Sequence, residues 1–247
     1  SNAVPGLTTK ALSKVVDQVM VGFEESRSHY DDPDKVTVTG TPVREDFFRY
    51  TRKQARQQLG LTDQAPLVLS VWGSLGAEVM NRQMAECIAR ECAGGAPFHH
   101  IHGAGRNYSD LLADLKTRGI DRKRYPQIDV REYIYDMPLV MAAADVVLCR
   151  AGASTISELT AIAKPSILVP SPNVTANHQE KNARVLEAAG GAVVLLEPDC
   201  SGQALFRAAS GILHDQERRT AMENAMSALG IRDATERIYQ TVLEICR

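Results

Sequence analysis

The stretch DVVLCRAGASTISELTAIAKPSILVP, residues 145–170, decides the fold. It opens with an apolar, β-branched run and leaves it through Arg150-Ala151-Gly152-Ala153. It then shows helical apolar spacing from Ser154 to Ala163 and returns to a second apolar run, PSILVP (165–170). Strand, small-residue turn, helix and strand within 26 residues make a βαβ unit, which demands two parallel strands and a helical crossover.

Working outward, the same alternation repeats on both sides. Short apolar runs stand at PLVLSV (66–71), FHHIHG (98–103), QIDVRE (127–132) and AVVLLE (192–197). Segments of helical spacing separate them: Ala77 to Glu91, Tyr108 to Arg118, Pro138 to Ala143, His178 to Ala189 and Gly202 to Leu213. Several runs are apolar at consecutive positions, as strands covered by helices on both faces must be. The expectation is a single α/β, Rossmann-like parallel sheet over 66–213 with helices on both faces. Residues 214–247 read as two more helices. Gly40-Thr41-Pro42 signals a turn, and 40–65 reads as a linker with a helix, RKQARQQLG, whose charges suit a solvated face. Residues 4–39, a helix then strands, read as the end of a truncated preceding α/β domain; residues 1–3 read as a tag remnant, and the chain as a fragment.

The totals exclude several functions. The net charge of -2 and 5 % aromatic content argue against nucleic-acid binding. No apolar run reaches the ~18 residues that span a bilayer. The five cysteines lack CxxC spacing, so neither a disulfide frame nor a zinc site is expected. No metal or cofactor is expected. The three histidines of FHHIHG alternate faces of a strand and cannot share one ligand.

In an open parallel sheet ligands bind beyond the carboxyl ends of the strands, so those loops hold the candidates. After PLVLSV comes Trp72-Gly73-Ser74-Leu75-Gly76-Ala77. Gly73, Ser74 and Gly76 suit an anion held by a helix N-terminus, or merely a tight connection. GxGxxG is absent, which disfavours a dinucleotide enzyme. In the opening stretch, Ser154 or Thr155 can cap the helix, and Glu158 lies one turn in, placed to take the two hydroxyls of a ribose. The competing reading is a capping box from Thr155 to Glu158, which leaves Arg150 unexplained. After PSILVP, a polar loop leads to His178, Gln179 and Asn182, groups that read sugar hydroxyls; His178 alone equally fits a surface helix start. After QIDVRE, Ile134 fits ordinary core as well as a backbone contact to a base.

Taken as an ordered series, GTPVR (40–44), GSLGA (73–77), REYIYDM (131–137), ADVVLCRAGASTISEL (144–159) and NHQEKNA (177–183) resemble the MurG-type peptidoglycan N-acetylglucosaminyltransferases. These belong to glycosyltransferase family 28, of GT-B fold. The resemblance runs over nearly the whole chain, from VPGLT to DATERI. It implies the C-terminal, donor-binding half of an inverting enzyme that moves N-acetylglucosamine from UDP to undecaprenyl-pyrophosphoryl-MurNAc-pentapeptide, converting lipid I to lipid II; the alternatives are another GT-B UDP-sugar transferase with a different acceptor and a non-catalytic nucleotide-sugar-binding module. By position, Arg44, Ser74 and the amides of Gly73 and Gly76 would meet the diphosphate or sugar. Ile134 would pair with uracil. Arg150 and the segment Ala153, Ser154, Thr155, Ile156, Ser157 and Glu158 would hold phosphate and ribose. Gln179, with His178 and Asn182, would address the sugar.

It further implies a cytoplasmic enzyme, peripheral on the inner membrane face, with UDP-N-acetylglucosamine and the lipid acceptor as partners. Thr41 stands where the family's GNPVR has Asn, and Trp72 and Leu75 where GGSQGA has Gly and Gln. The family's Gly- and His-rich acceptor loop is not in this chain, so donor binding without turnover is expected; Asn2 would align with a sugar contact of the other domain.

Overall fold

The computed structural model describes residues 1–73 and 77–246. A parallel six-stranded sheet is built from β3 (Leu67–Val71), β4 (His99–Gly103), β5 (Ile128–Arg131), β6 (Val146–Cys149), β7 (Ser166–Leu168) and β8 (Ala192–Val194). Its spatial order is β5-β4-β3-β6-β7-β8. β3 therefore lies centrally, and the chain winds outward first one way and then the other. The α/β expectation drawn from 145–170 is the architecture found.

Helices cover both faces because the strands are apolar on both. Val68, Val146, Leu148 and Val130 face α3 (Glu78–Ala93), α4 (Tyr108–Thr117) and α8 (Gly202–Leu213), with Met84, Leu115 and Leu205 among their partners. Leu67, Leu69, Val147 and Leu168 face the opposite layer, α5 (Met137–Ala143), α6 (Ala153–Ala161) and α7 (His178–Ala188). Alternate residues of one strand thus enter different layers, the period-two consequence of the pleat. Two helices complete the chain, α9 (Gln216–Leu229) and α10 (Ala234–Ile245).

A second sheet, of two parallel strands, pairs β1 (Val19–Val21) with β2 (Val36–Val38), after α1 (Leu7–Leu12). It has its own small core of Val19, Val21, Tyr30 and Val36. Ala3 is buried, its amide donating to Asn182 Oδ1 at 2.8 Å.

Two sequence expectations need correction. The helix of RKQARQQ, α2 (Arg52–Gln58), does not present all its charges to solvent: Arg56 is 0 % exposed. Its guanidinium reaches Asp145 Oδ2 at 3.3 Å and the Ala143 carbonyl at 2.8 Å. A buried guanidinium is tolerated when a carboxylate and carbonyls surround it, and charge count alone does not disclose that surrounding. Helix α6 ends at Ala161 rather than Ala163, because Ala163 turns left-handed at φ 56°.

Candidate functional site

The winding reverses between β3 and β6, which are hydrogen-bonded neighbours with Val71 beside Cys149. Their carboxyl ends point into a cleft of about 500 Å³. One wall is Trp72, Gly73 and Ala77; the other is Arg150, Gly152, Thr155 and Glu158; Met137, Met141 and Gln179 close it. A crevice at this reversal is where two diverging loops leave room for a ligand.

Each wall follows from local sequence. Gly73 leaves β3 at φ 88°, a conformation that side chains resist. Ser74 and Gly76 lie outside the described residues. On the other wall, Gly152 is the N-cap of α6 in an extended conformation, and no side chain caps the helix. The first backbone bond runs from Ile156 N to Gly152 O at 2.9 Å. The amides of Ala153, Ser154 and Thr155 therefore have no partner within the helix, and they carry the positive end of its dipole. Thr155 lies inside the helix, so the capping box with Glu158 does not form.

Glu158 is half-buried in the cleft wall, and its carboxyl is perturbed. Burial raises it above the ordinary carboxylate range; Arg44 opposes that, and Asp46 adds to it. Arg44 does not line the cleft. It lies over the Phe47 ring at 5.4 Å, 3.6 Å from Asp46, largely exposed. Asp46 is a group that sequence reasoning passed over. It occupies a short 3-10 turn after the GTPVR segment, and only its place in space sets it beside Glu158.

Gln179 lines the cleft as expected, but half of its amide is engaged. Oε1 accepts from Ala151 N at 3.3 Å and Ser171 N at 2.9 Å, joining the loops after β6 and β7. The Nε2 group makes no hydrogen bond among the described residues.

Other candidates are placed differently from expectation. Arg150 touches the cleft, yet its guanidinium donates to the Val169 and Pro170 carbonyls at 3.1 and 3.3 Å and pairs with Glu197 at 2.5 Å. Its charge is committed to the scaffold. Ile156 is 1 % exposed, in the core between β6 and the outer helices. Ser157 returns its hydroxyl to the Ala153 carbonyl at 3.0 Å, on a face away from the cleft. Asn182 is fully buried, with Oδ1 on Ala3 N and Nδ2 on the Ala151 carbonyl and on Asn2 Oδ1. It supports the turn that begins α6 and has no group left for a sugar. His178 is half-buried at the start of α7, bonded to the Thr175 carbonyl, and does not line the cleft. Residue type and spacing do not separate these from ligand-facing groups, because a satisfied polar side chain reads the same as a vacant one. Ile134 packs against Gly103, where a Cβ would lie 3.1 Å from its Cδ1. Its peptide N–H and C=O make no backbone hydrogen bond among the described residues.

Strand order and crevice define a doubly wound α/β domain of the kind found in GT-B glycosyltransferases. The family model for the glycosyltransferase family 28 C-terminal domain matches residues 67–238, and the chain belongs to that family. It is 42 % identical, over its full length, to the UDP-N-acetylglucosamine--N-acetylmuramyl-(pentapeptide) pyrophosphoryl-undecaprenol N-acetylglucosamine transferase of Acetivibrio thermocellus. It is 40 % identical, over 98 % of its length, to the enzyme of the same name from Desulforudis audaxviator. It spans 65 % of the length of each of these relatives. The crystal structure of Acinetobacter baumannii MurG superposes with a TM-score of 0.75 at 23 % identity, covering 98 % of this chain and 65 % of that one.

Proposed function

We propose that the cleft between the ends of β3 and β6 holds the UDP part of UDP-N-acetylglucosamine, and that this chain is the donor-binding half of an inverting N-acetylglucosaminyltransferase. The whole protein then transfers the sugar to undecaprenyl-pyrophosphoryl-MurNAc-pentapeptide at the inner face of the cell membrane. The acceptor side lies with the third of the relatives' length that this chain does not span.

One observation carries this reading: an uncapped helix N-terminus and a half-buried carboxylate one turn behind it share the same cleft wall. The amides of 153–155 suit phosphate oxygens; the Glu158 carboxylate suits a pair of ribose hydroxyls. The unengaged peptide of Ile134 supplies one donor and one acceptor for a uracil edge. As the glycosidic bond breaks, negative charge builds on the departing UDP. Preorganised amides lower the barrier by meeting that charge, and Arg44, outside the cleft but acting on Glu158, adds positive potential beside it. No helix among the described residues is long and apolar enough to cross a membrane, so attachment to the bilayer surface is the proposed mode.

Calorimetric titration decides. UDP-N-acetylglucosamine and UDP bind, UDP-glucose binds more weakly and NADH does not; heat with NADH but none with UDP ends the proposal. With the lipid acceptor added, this chain alone shows no turnover, whereas the full-length protein does.

A further inference from the structure

A further cavity, of about 330 Å³, opens at the far end of α6 from the donor cleft. Three segments meet around it: residues 47–51 before α2, the end of α6 with Ile162 and Ala163, and the connection between α9 and α10. Two guanidiniums line it, Arg49 from the first segment and Arg232 from the third. Among the described residues, no carboxylate lines it.

Surface arginines elsewhere in the chain have partners. Arg131, Arg184 and Arg237 each hold a carboxylate within 3.4 Å. Arg49 and Arg232 form neither an ion pair nor a hydrogen bond among the described residues. Arg232 does lie over the Phe48 ring, at 4.9 Å. That contact uses the face of the guanidinium and leaves its N–H edge for an acceptor. Two hydroxyls share the lining, Tyr50 and Ser227, and neither makes a hydrogen bond among the described residues. The Thr51 hydroxyl beside them is spent on Gln54 Oε1 at 2.9 Å. The last turn of α6 brings about half a negative charge, against two full positive ones, so the cavity remains positive.

We propose that this cavity is a second anion site, separate from the donor cleft, which takes a phosphomonoester between Arg49 and Arg232. Guanidinium forks match pairs of phosphate oxygens. Two positive charges suit a phosphomonoester, which carries close to two negative ones, better than a single carboxylate. The Tyr50 and Ser227 hydroxyls donate to oxygens that the forks leave over. Phe47 and Ile162 give the organic remainder an apolar wall. The ester is either a soluble metabolite or the headgroup of a lipid such as phosphatidic acid, since both present the same group. Helix α6 has nine residues, which keeps the two sites roughly 12 Å apart. One phosphate cannot bridge that distance, so the second site stands whether or not the cleft holds UDP.

Two measurements on the chain as it stands test this without any nucleotide. The first is calorimetric titration with glycerol 3-phosphate in a phosphate-free chloride buffer. The second is sedimentation with phosphatidylcholine vesicles, with and without phosphatidic acid. Saturable binding of glycerol 3-phosphate at one site assigns a soluble ester. Binding only to vesicles that contain phosphatidic acid assigns a lipid headgroup. In whichever arm binds, Arg49→Ala and Arg232→Ala should each weaken the interaction about tenfold or more, the loss of a charge-assisted hydrogen bond. Both side chains are exposed, so the melting temperature should hardly move.

Lys53→Ala is the control for diffuse attraction. It removes the same charge from an exposed position of α2 that does not line the cavity, and should weaken binding by no more than about twofold. Equal losses at Lys53, Arg49 and Arg232 overturn the proposal. So does binding that survives in the Arg49→Ala/Arg232→Ala double variant, because the ester then sits elsewhere, as at the amides of 153–155. Absence of binding in both arms overturns it as well. Should the double variant fail to fold, the two single variants decide.

Discussion

The two ends of the central sheet treat charge in opposite ways. At the amino ends of β3 and β6, Asp145 accepts from Leu67 N at 2.8 Å, from Arg52 at 2.6 Å and from Arg56 at 3.3 Å. Lys164 donates to the Ala142 and Ala144 carbonyls at 2.8 and 2.9 Å. Apart from the exposed Arg52, the charged groups there are buried, and they are spent mostly on each other and on backbone carbonyls. At the carboxyl ends, Thr155 and the Glu158 carboxylate line a cleft, and neither that carboxylate nor the first amides of α6 make a hydrogen bond among the described residues. Buried charge that is fully satisfied holds a structure together; charge left unsatisfied beside a cavity is available for a ligand. Substitutions at the first end should therefore change stability and spare binding, and those at the second should do the reverse.

The sharpest break in that comparison is Asp145→Ala. It strands Arg56, buried and without its carboxylate, and removes the acceptor for Leu67 N. A loss of about 3–5 kcal/mol in unfolding free energy is expected, the cost of an uncompensated buried charge. Chemical denaturation measures it. UDP affinity of the fraction still folded should be unchanged; a selective loss of affinity would show that the two ends are not independent.

Next in size is Glu158→Ala, which should weaken UDP binding by about 1–3 kcal/mol, as for lost charge-assisted hydrogen bonds. The melting temperature should hardly move. The carboxyl is raised by burial, so affinity for UDP-N-acetylglucosamine should fall on acidification with a midpoint above that of an ordinary glutamate. The direction follows because only the ionised form accepts from both ribose hydroxyls. Glu158→Gln should abolish this pH dependence. An unchanged titration curve in the Ala variant would place the nucleotide elsewhere.

The amino end makes a pH prediction of its own. Burial lowers Lys164 to about 8 from the usual 10.5. Between those values the unfolded chain binds the proton and the folded chain does not. Stability contributed by this group therefore rises with pH from about 8 to about 10.5, by up to about 1.4 kcal/mol per unit. Lys164→Met should lack that rise relative to the unaltered chain when both are unfolded across pH 8 to 10.

How much of this was legible in the sequence depends on which physical rule wrote it. The alternation of apolar runs with helical spacing is local, and it yielded the sheet from 66 to 197 with the right strands. The position of the cleft followed, since parallel strands impose where ligands go. What the sequence could not disclose was vacancy. Arg150, Ser157 and Asn182 were attractive by type, and each spends its polar groups on carbonyls or amides of the scaffold. Arg56 looked solvated and is buried, because its partner Asp145 is 89 residues away in sequence. His100 and His102 share a strand face with Ser70 across the ladder, a pairing set by register between β3 and β4. Each of these depends on contacts distant along the chain, which composition and spacing do not encode.

The smallest expected effect falls within α6 itself, and it sharpens the comparison to two neighbouring hydroxyls. Thr155 lines the cleft; Ser157, two residues on, turns its hydroxyl back to the Ala153 carbonyl and faces away. A helix rotates about 100° per residue, so positions two apart point to nearly opposite sides. Thr155→Val should weaken UDP binding by about 0.5–1.5 kcal/mol, the net value of one hydrogen bond. Ser157→Ala should shift both binding and stability by no more than about 0.5 kcal/mol. Measured side by side in one calorimetric series, the pair tests the orientation of the helix rather than its chemistry. A larger loss at Ser157 than at Thr155 would mean that the nucleotide lies along the other face of α6, toward Ile231 and the β1–β2 sheet, where a separate cavity of about 280 Å³ is lined by Ser157.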